Sequence, residues 1–150
     1  MTNHTALGDY ERFVKPHWSD NELANFAVVA RFMSTVRSGP AEHLLAEYGD
    51  HPYRQHNPGM SNGIDGVAEE IQKVGVEAPD FFVDTKHAYV DGEYVIIQAH
   101  FTAIEDHRGD DRHGFNAVDI WKIVEGKIVE HWDAIQPLEP TDRNNDNGIF

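Results

Sequence analysis

Apolar residues recur at helical spacing from Leu23 to Val36 and again from Ile64 to Val74, and from about Asp80 the chain alternates like strands. Ser19-Asp20-Asn21-Glu22 has the form of a capping box, with Ser19 capping the first helix and Glu22 reaching back to it. This helix carries Leu23, Phe26, Ala27, Ala30, Met33 and Val36 on one stripe, runs to about Arg37 and ends at Ser38-Gly39-Pro40. Ala41 to Tyr48 makes a short second helix stopped by Gly49. Tyr53 to Gly59 reads as a short extended piece entering a loop, because Pro58 moves Asn57 out of the helical region. Ser61 or Asn62 caps a third helix with Ile64, Val67, Ala68, Ile71 and Val74 inward, closed by Gly75. Four strands follow: Phe81–Val90, a turn at Asp91-Gly92, Glu93–Ile104, a charged loop at 105–114, then Phe115–Ile123 and Lys127–Ile135.

Three helices followed by four long antiparallel strands indicate an α+β domain. A long helix laid across a curved sheet leaves a cone with an open mouth, a common place for a ligand. The expected organisation is an arm at 1–18, one domain at 19–137 and a polar tail at 138–150.

The hairpin at 119–136, Asp-Ile-Trp-Lys-Ile-Val-Glu-Gly-Lys-Ile-Val-Glu-His-Trp-Asp-Ala-Ile-Gln, is the most informative stretch. A two-residue turn at Glu125-Gly126 would set Asp119 opposite Trp132 and put Asp119 and His131 on opposite faces. A three-residue turn with Gly126 in a left-handed bulge position would pair Ile123 with Lys127 and Asp119 with His131. The second is favoured, because a type I′ turn prefers Asn or Asp before the Gly. It gathers Asp119, His131 and Asp133 beside Trp121, with Val129 on the same face and Ile120, Ile128 and Trp132 on the other. This has the character of an acid/base group in an aromatic pocket.

Composition narrows the partners. Cysteine is absent, so disulfides, thiolate metal sites and thiol nucleophiles are excluded. A formal charge of −14 disfavours nucleic acid and anionic membranes. The first residues lack a basic start and an apolar run, and no apolar stretch approaches membrane-spanning length, which predicts a soluble, cytoplasmic protein.

Several motifs carry a family resemblance: Tyr-x-Gln-His-Asn-Pro at 53–58, Gly-x-x-Gly at 63–66, Asp-Gly-Glu-Tyr-Val at 91–95 with His100, and Gly-Lys-Ile-Val-Glu-His-Trp-Asp at 126–133. Over roughly residues 20–137 the chain resembles the SnoaL-like polyketide cyclases of the nuclear transport factor 2-like superfamily. The resemblance implies the cone-shaped, cystatin-like α+β barrel and a homodimer formed through the outer sheet face. It also implies ring closure by intramolecular aldol condensation of a small hydrophobic carbonyl compound, with no cofactor and no metal. The superfamily also holds isomerases, dehydratases and proteins with no known activity, so the fold does not settle the function. A non-catalytic, dimeric small-ligand-binding protein is the alternative.

Aldol chemistry removes a proton next to one carbonyl and delivers one to another, and a buried carboxyl beside a histidine can serve both steps. Asp119 or Asp133 is the expected acid/base, with His131 orienting or sharing the proton. The competing reading makes Asp119 and His131 a satisfied buried pair that fixes the hairpin. His100 is expected on a polar strand face with Gln98 and Thr102, as a pocket wall or bonded to a backbone carbonyl. His56 and Asn57 either anchor a substrate oxygen or hold the loop before the third helix. Tyr53 and Trp121 either stack on a planar substrate or belong to the core. A metal held by His100, His131 and a carboxylate fits the cone, but the spacing is not diagnostic and no metal is expected.

Overall fold

A computed structural model describes residues 7–150. The first six residues of the expected N-terminal arm lie outside the described residues. The rest of the arm makes a 3-10 helix over Gly8–Phe13 that the sequence pattern did not announce. It buries Leu7, Tyr10 and Phe13 against the body.

The helices are α1 (Asp20–Ser38), α2 (Ala41–Tyr48) and α3 (Gly63–Glu77). The capping box of α1 forms: Ser19 Oγ accepts from Glu22 N at 3.2 Å and Glu22 Oε2 accepts from Ser19 N at 2.8 Å. Glu22 Oε1 also accepts from Gly92 N at 3.1 Å, and Asn25 Nδ2 donates to Gly92 O at 2.9 Å. The start of α1 is thereby fastened to a sheet turn. Helix α3 continues past Gly75 to Glu77. Asn62 occupies its N-cap without side-chain capping, because Asn62 Oδ1 accepts instead from Gln55 N at 3.0 Å. Glycine is required at position 66, where a Cβ would stand 1.9 Å from Ser61 O.

The sheet comprises β1 (Arg54–Gln55), β2 (Phe82–Asp91), β3 (Tyr94–Thr102), β4 (Phe115–Val124) and β5 (Lys127–Pro137) in the order β1-β5-β4-β3-β2. All pairings are antiparallel except that of β1 with β5. The sheet curls over α1. Val95, Ile97, Ala99, Ala117, Trp121, Ile123 and Ile128 on its inner face are buried, as are Phe26, Val29 and Phe32 of the helix. Among the described residues no helix is long and apolar enough to cross a membrane.

The two hairpin turns differ from expectation. Asp91 pairs with Tyr94, so the first turn is Gly92-Glu93, with Gly92 at φ 58. A left-handed Gly in the first central position is what a type II′ turn needs. In the second hairpin Val124 pairs with Lys127, so Glu125-Gly126 is a two-residue turn, with φ of 49 and 75. Both values are positive, as type I′ requires. The three-residue turn is therefore incorrect.

A bulge decides the rest. Ile123 pairs with Ile128, but Lys122 pairs with Glu130, leaving Val129 as the extra residue on β5. Beyond it Trp121 faces His131 and Asp119 faces Asp133, in place of the expected pairing of Asp119 with His131. The expected and observed registers differ by two residues. An even difference preserves faces, so Asp119, Trp121, His131 and Asp133 share the inner face. On the turn side of the bulge the parity reverses, and Ile128 goes into the core instead of outward.

Glu125 holds a left-handed conformation that costs a residue with a Cβ about 1–2 kcal/mol and that Asn tolerates better. Glu125→Asn is expected to raise Tm by about 2–4 °C in a thermal melt, as a gain of about 1 kcal/mol does in a domain of this size.

Candidate active site

The site is built where β1 runs beside the start of β5's second half. Arg54 pairs with Glu130 and Gln55 with His131. Alternation along the extended segment sends Tyr53, Gln55 and Asn57 inward and His56 outward. Tyr53 is in a left-handed conformation, φ 33, although it is not glycine. Backbone strain of this kind costs about 1–3 kcal/mol and gathers at sites whose surroundings over-determine it. Here the surroundings are a hydrogen bond from Tyr53 N to Ile128 O at 3.2 Å, one from Trp121 Nε1 to Tyr53 Oη at 3.3 Å, and a stacked contact of the Tyr53 and His131 rings at 5.6 Å.

Asp119 and His131 are 9% and 4% exposed. Asp119 Oδ1 lies 2.8 Å from His131 Nε2, and His131 Nδ1 lies 2.8 Å from Gln55 Oε1. Asp133 is half-buried, and its Oδ2 accepts from Asn57 Nδ2 at 2.8 Å. Asn57 is itself oriented, because its Oδ1 accepts from Gly59 N at 2.8 Å. Burial pushes the Asp119 carboxyl above the ordinary carboxylate range. The His131 hydrogen bond and charge oppose that shift, and the neighbouring Asp133 charge adds to it. The native state thus binds this proton more tightly than the unfolded chain does. The resulting stability is full below the unfolded value and is lost as pH rises through the raised one. Burial likewise pushes the Tyr53 phenol up and keeps it neutral.

Asp119, His131, Asp133, Asn57, Tyr53 and Trp121 therefore come together. Two predicted residues do not join them. His56 points to the outer face, where Nε2 lies 2.7 Å from Glu130 Oε1 and the ring stacks on Trp132 at 4.9 Å. His100 also faces outward, because Ile97, Ala99 and Phe101 take the inner positions of β3. Its Nε2 donates to His113 O at 2.7 Å and its ring meets Phe150 at 5.1 Å. The C-terminal tail docks there, with Arg143 Nη1 donating to Asp111 Oδ1 at 3.0 Å and Ile149 N to Asp111 Oδ2 at 3.0 Å. A ligand set of His100, His131 and a carboxylate, which the sequence left possible but not expected, cannot assemble. Among the described residues, Asp119, His131 and Asp133 are the group placed to hold a metal ion, with one ligand atom from each within 4.8 Å of the others.

Gln55 was missed. Its signal lay in the alternation of Tyr53-x-Gln55-x-Asn57, which puts the three side chains on one face of an extended segment.

Beneath the cluster the interior is packed: Phe32 meets Trp121 and Tyr53 at ring distances of 6.4 and 5.6 Å. Solvent reaches the group on the Asp133 side. There the inner face continues as Ala99, Phe101, Ala117, Phe115 and Ile135, the last two 40% and 47% exposed. Two surface depressions, of about 540 and 490 Å³, lie elsewhere, around Asp111 and Arg143 and around Arg31 and His43.

Residues 27–141 match the model of the SnoaL-like polyketide cyclase family. The chain belongs to that family. Solved structures agree on the SnoaL-like fold. A candidate polyketide cyclase from Bacillus cereus superposes with a TM-score of 0.64 at 22% identity, covering 81% of this chain and 80% of its own. TsrD from Streptomyces laurentii gives 0.59 at 20% identity, covering 78% and 91%. Bal32a, from a soil-derived mobile gene cassette, gives 0.61 at 19%, covering 77% and 92%. No curated protein matches the chain significantly. At these identities the neighbours define the SnoaL-like architecture and leave the substrate open.

Proposed function

We propose that this SnoaL-like protein is an acid/base catalyst that works without a cofactor on a small hydrophobic carbonyl compound, as an aldol-type cyclase or a related isomerase. The observation that carries this reading is the pairing of a buried carboxyl–imidazole unit, Asp119–His131, with the half-exposed carboxylate of Asp133 at the end of an apolar inner face.

In this scheme the apolar side chains from Phe101 to Ile135 bind the hydrocarbon part of the substrate. Asp133, steadied by Asn57, takes a proton from the carbon next to the carbonyl. The electron pair of that C–H bond moves to the carbonyl oxygen, which takes from Asp119 the proton that Asp119 shares with His131. In a cyclase the enol carbon then attacks a second carbonyl and forms the ring bond, the enol O–H proton returns to the Asp119–His131 unit, and the new alkoxide takes the proton held by Asp133. In an isomerase the proton held by Asp133 returns to a different carbon. Both routes begin with the same proton abstraction.

That shared step gives a test needing no knowledge of the natural substrate. The protein is incubated in deuterated water with a panel of small hydrophobic ketones, and loss of the α-proton signal is followed by NMR. Exchange well above the buffer rate, saturating with ketone, is the expected result. Saturable binding without exchange in any member would overturn the catalytic reading in favour of a ligand-binding protein.

A further inference from the structure

We infer that Gln55 is a positioning residue that fixes a proton on His131 Nδ1, so that Asp119 and His131 Nε2 share a single proton between them.

Gln55 Oε1 lies 2.9 Å from the amide nitrogen of Asn57. A backbone N–H can only donate, so the atom facing it must be the amide oxygen. The other end of the amide agrees: Gln55 Nε2 lies 3.7 Å from Met60 Sδ, a sulfur that can only accept. Turning the amide over would set an NH2 group against the Asn57 N–H and the oxygen against the sulfur. The orientation of Gln55 is therefore keyed by two neighbours of fixed polarity.

The same Oε1 is 2.8 Å from His131 Nδ1. An oxygen already accepting from one N–H presents only a lone pair to the imidazole, so Nδ1 carries a hydrogen. That leaves one question at Nε2, 2.8 Å from Asp119 Oδ1. If the imidazole is neutral, Nε2 offers a lone pair and the proton belongs to Asp119. If the imidazole is charged, Nε2 holds the proton and Asp119 is a carboxylate. Either way one proton sits in this contact and the unit is neutral overall. The tautomer with hydrogen on Nε2 alone, which would place a neutral ring beside a bare buried carboxylate, is disfavoured by the oxygen of Gln55. Holding a histidine tautomer through the nitrogen remote from the chemistry is a general device of acid/base sites.

Gln55 also reaches the sheet through its main chain, pairing in parallel with His131. Its side chain and its backbone register thus address the same residue. The inference extends the acid/base reading of this site, but its test reads the ring directly.

The experiment uses the full chain labelled with nitrogen-15 and two-bond nitrogen–proton correlation of the histidine rings, with His131→Gln assigning the resonances. In the wild type, Nδ1 is expected to be protonated, with Nε2 showing the intermediate shift of a nitrogen sharing a proton. Gln55→Glu keeps an acceptor oxygen and should keep the Nδ1 proton. Gln55→Leu removes it, and the ring should shift toward the Nε2–H form. A wild-type ring with bare Nδ1 overturns the inference outright, whether or not the leucine variant folds. A Gln55→Leu ring indistinguishable from wild type overturns it too. If the tautomer behaves as expected while no ketone exchanges in any form, the acid/base reading fails and the positioning inference stands. If both hold, Gln55→Leu should slow exchange about tenfold or more while the KM for ketone changes little, and Gln55→Glu should be the less impaired.

Discussion

Asp133→Asn should reduce α-proton exchange by about 10²–10⁴-fold, the range over which a positioned general base contributes, while leaving the fold intact. The substitution exchanges one carboxylate oxygen for an amide nitrogen with almost no change of shape. Asp133 is half-buried and accepts a hydrogen bond from Asn57 Nδ2, which the remaining oxygen can keep. Stability should therefore move by no more than about 1 kcal/mol. The direction is toward greater stability near neutral pH, because the Asp133 charge is one of the causes that raise the Asp119 carboxyl. Exchange rates and thermal melts on the same preparation separate the two effects. An Asp133→Asn protein that exchanges ketone protons like wild type would remove Asp133 from the role of base.

The second large effect concerns the buried pair. His131→Leu alone should cost about 3–5 kcal/mol, because it strands Asp119 in the interior without its partner. Asp119→Val combined with His131→Leu should recover most of that loss, since replacing a whole buried pair by apolar residues of similar volume is often neutral. Urea denaturation of the two single variants and the double gives the coupling. The double variant should also lose the part of the pH dependence in which wild-type stability falls as pH rises through the raised Asp119 value. It should be folded and inactive. If it were instead fully active, the pair would be scaffolding and nothing more. A cost below about 1 kcal/mol for His131→Leu would show that the two side chains do not depend on each other as their burial implies.

Much of this architecture could be read from the chain. The three helices, the four long strands and the family motifs were legible because periodicity and capping are local signals, as at Ser19 and Glu22. The grouping of Asp119, His131 and Asp133 was legible too, although through the wrong turn. A regular hairpin allows either a two-residue turn with opposed faces or a three-residue turn with shared ones. The chain uses a two-residue turn and then corrects the parity with the bulge at Val129. Valine gives no warning of a bulge, so that step could not be seen. Glu125 concealed the type I′ turn, because a long acidic side chain is not the residue such turns favour. His100 was placed on the correct strand, and the choice between pocket wall and backbone partner fell to the partner, the carbonyl of His113. The local alternation with Tyr53 and Asn57 marks the face of Gln55, but its tie to His131 comes from a strand of two residues paired in parallel with a segment far along the chain. No local pattern reports such a pairing.

The bulge at Val129 also governs how this hairpin can vary in length. It separates the end that packs Ile123 on Ile128 from the end that presents the carboxylates, and each end keeps its own phase. Removing one residue between Gly126 and Val129 while the bulge is kept would turn the outer half of β5 over, carrying Trp132 into the interior and His131 and Asp133 out to solvent. Removing two would keep their faces but slide them two positions along β4. An even change in length therefore keeps the facing of the carboxylates and an odd one reverses it, unless the odd step is matched by the loss or gain of the bulge. Lineages that alter the turn while keeping the chemistry should show that compensation as paired insertions and deletions within a few residues of each other.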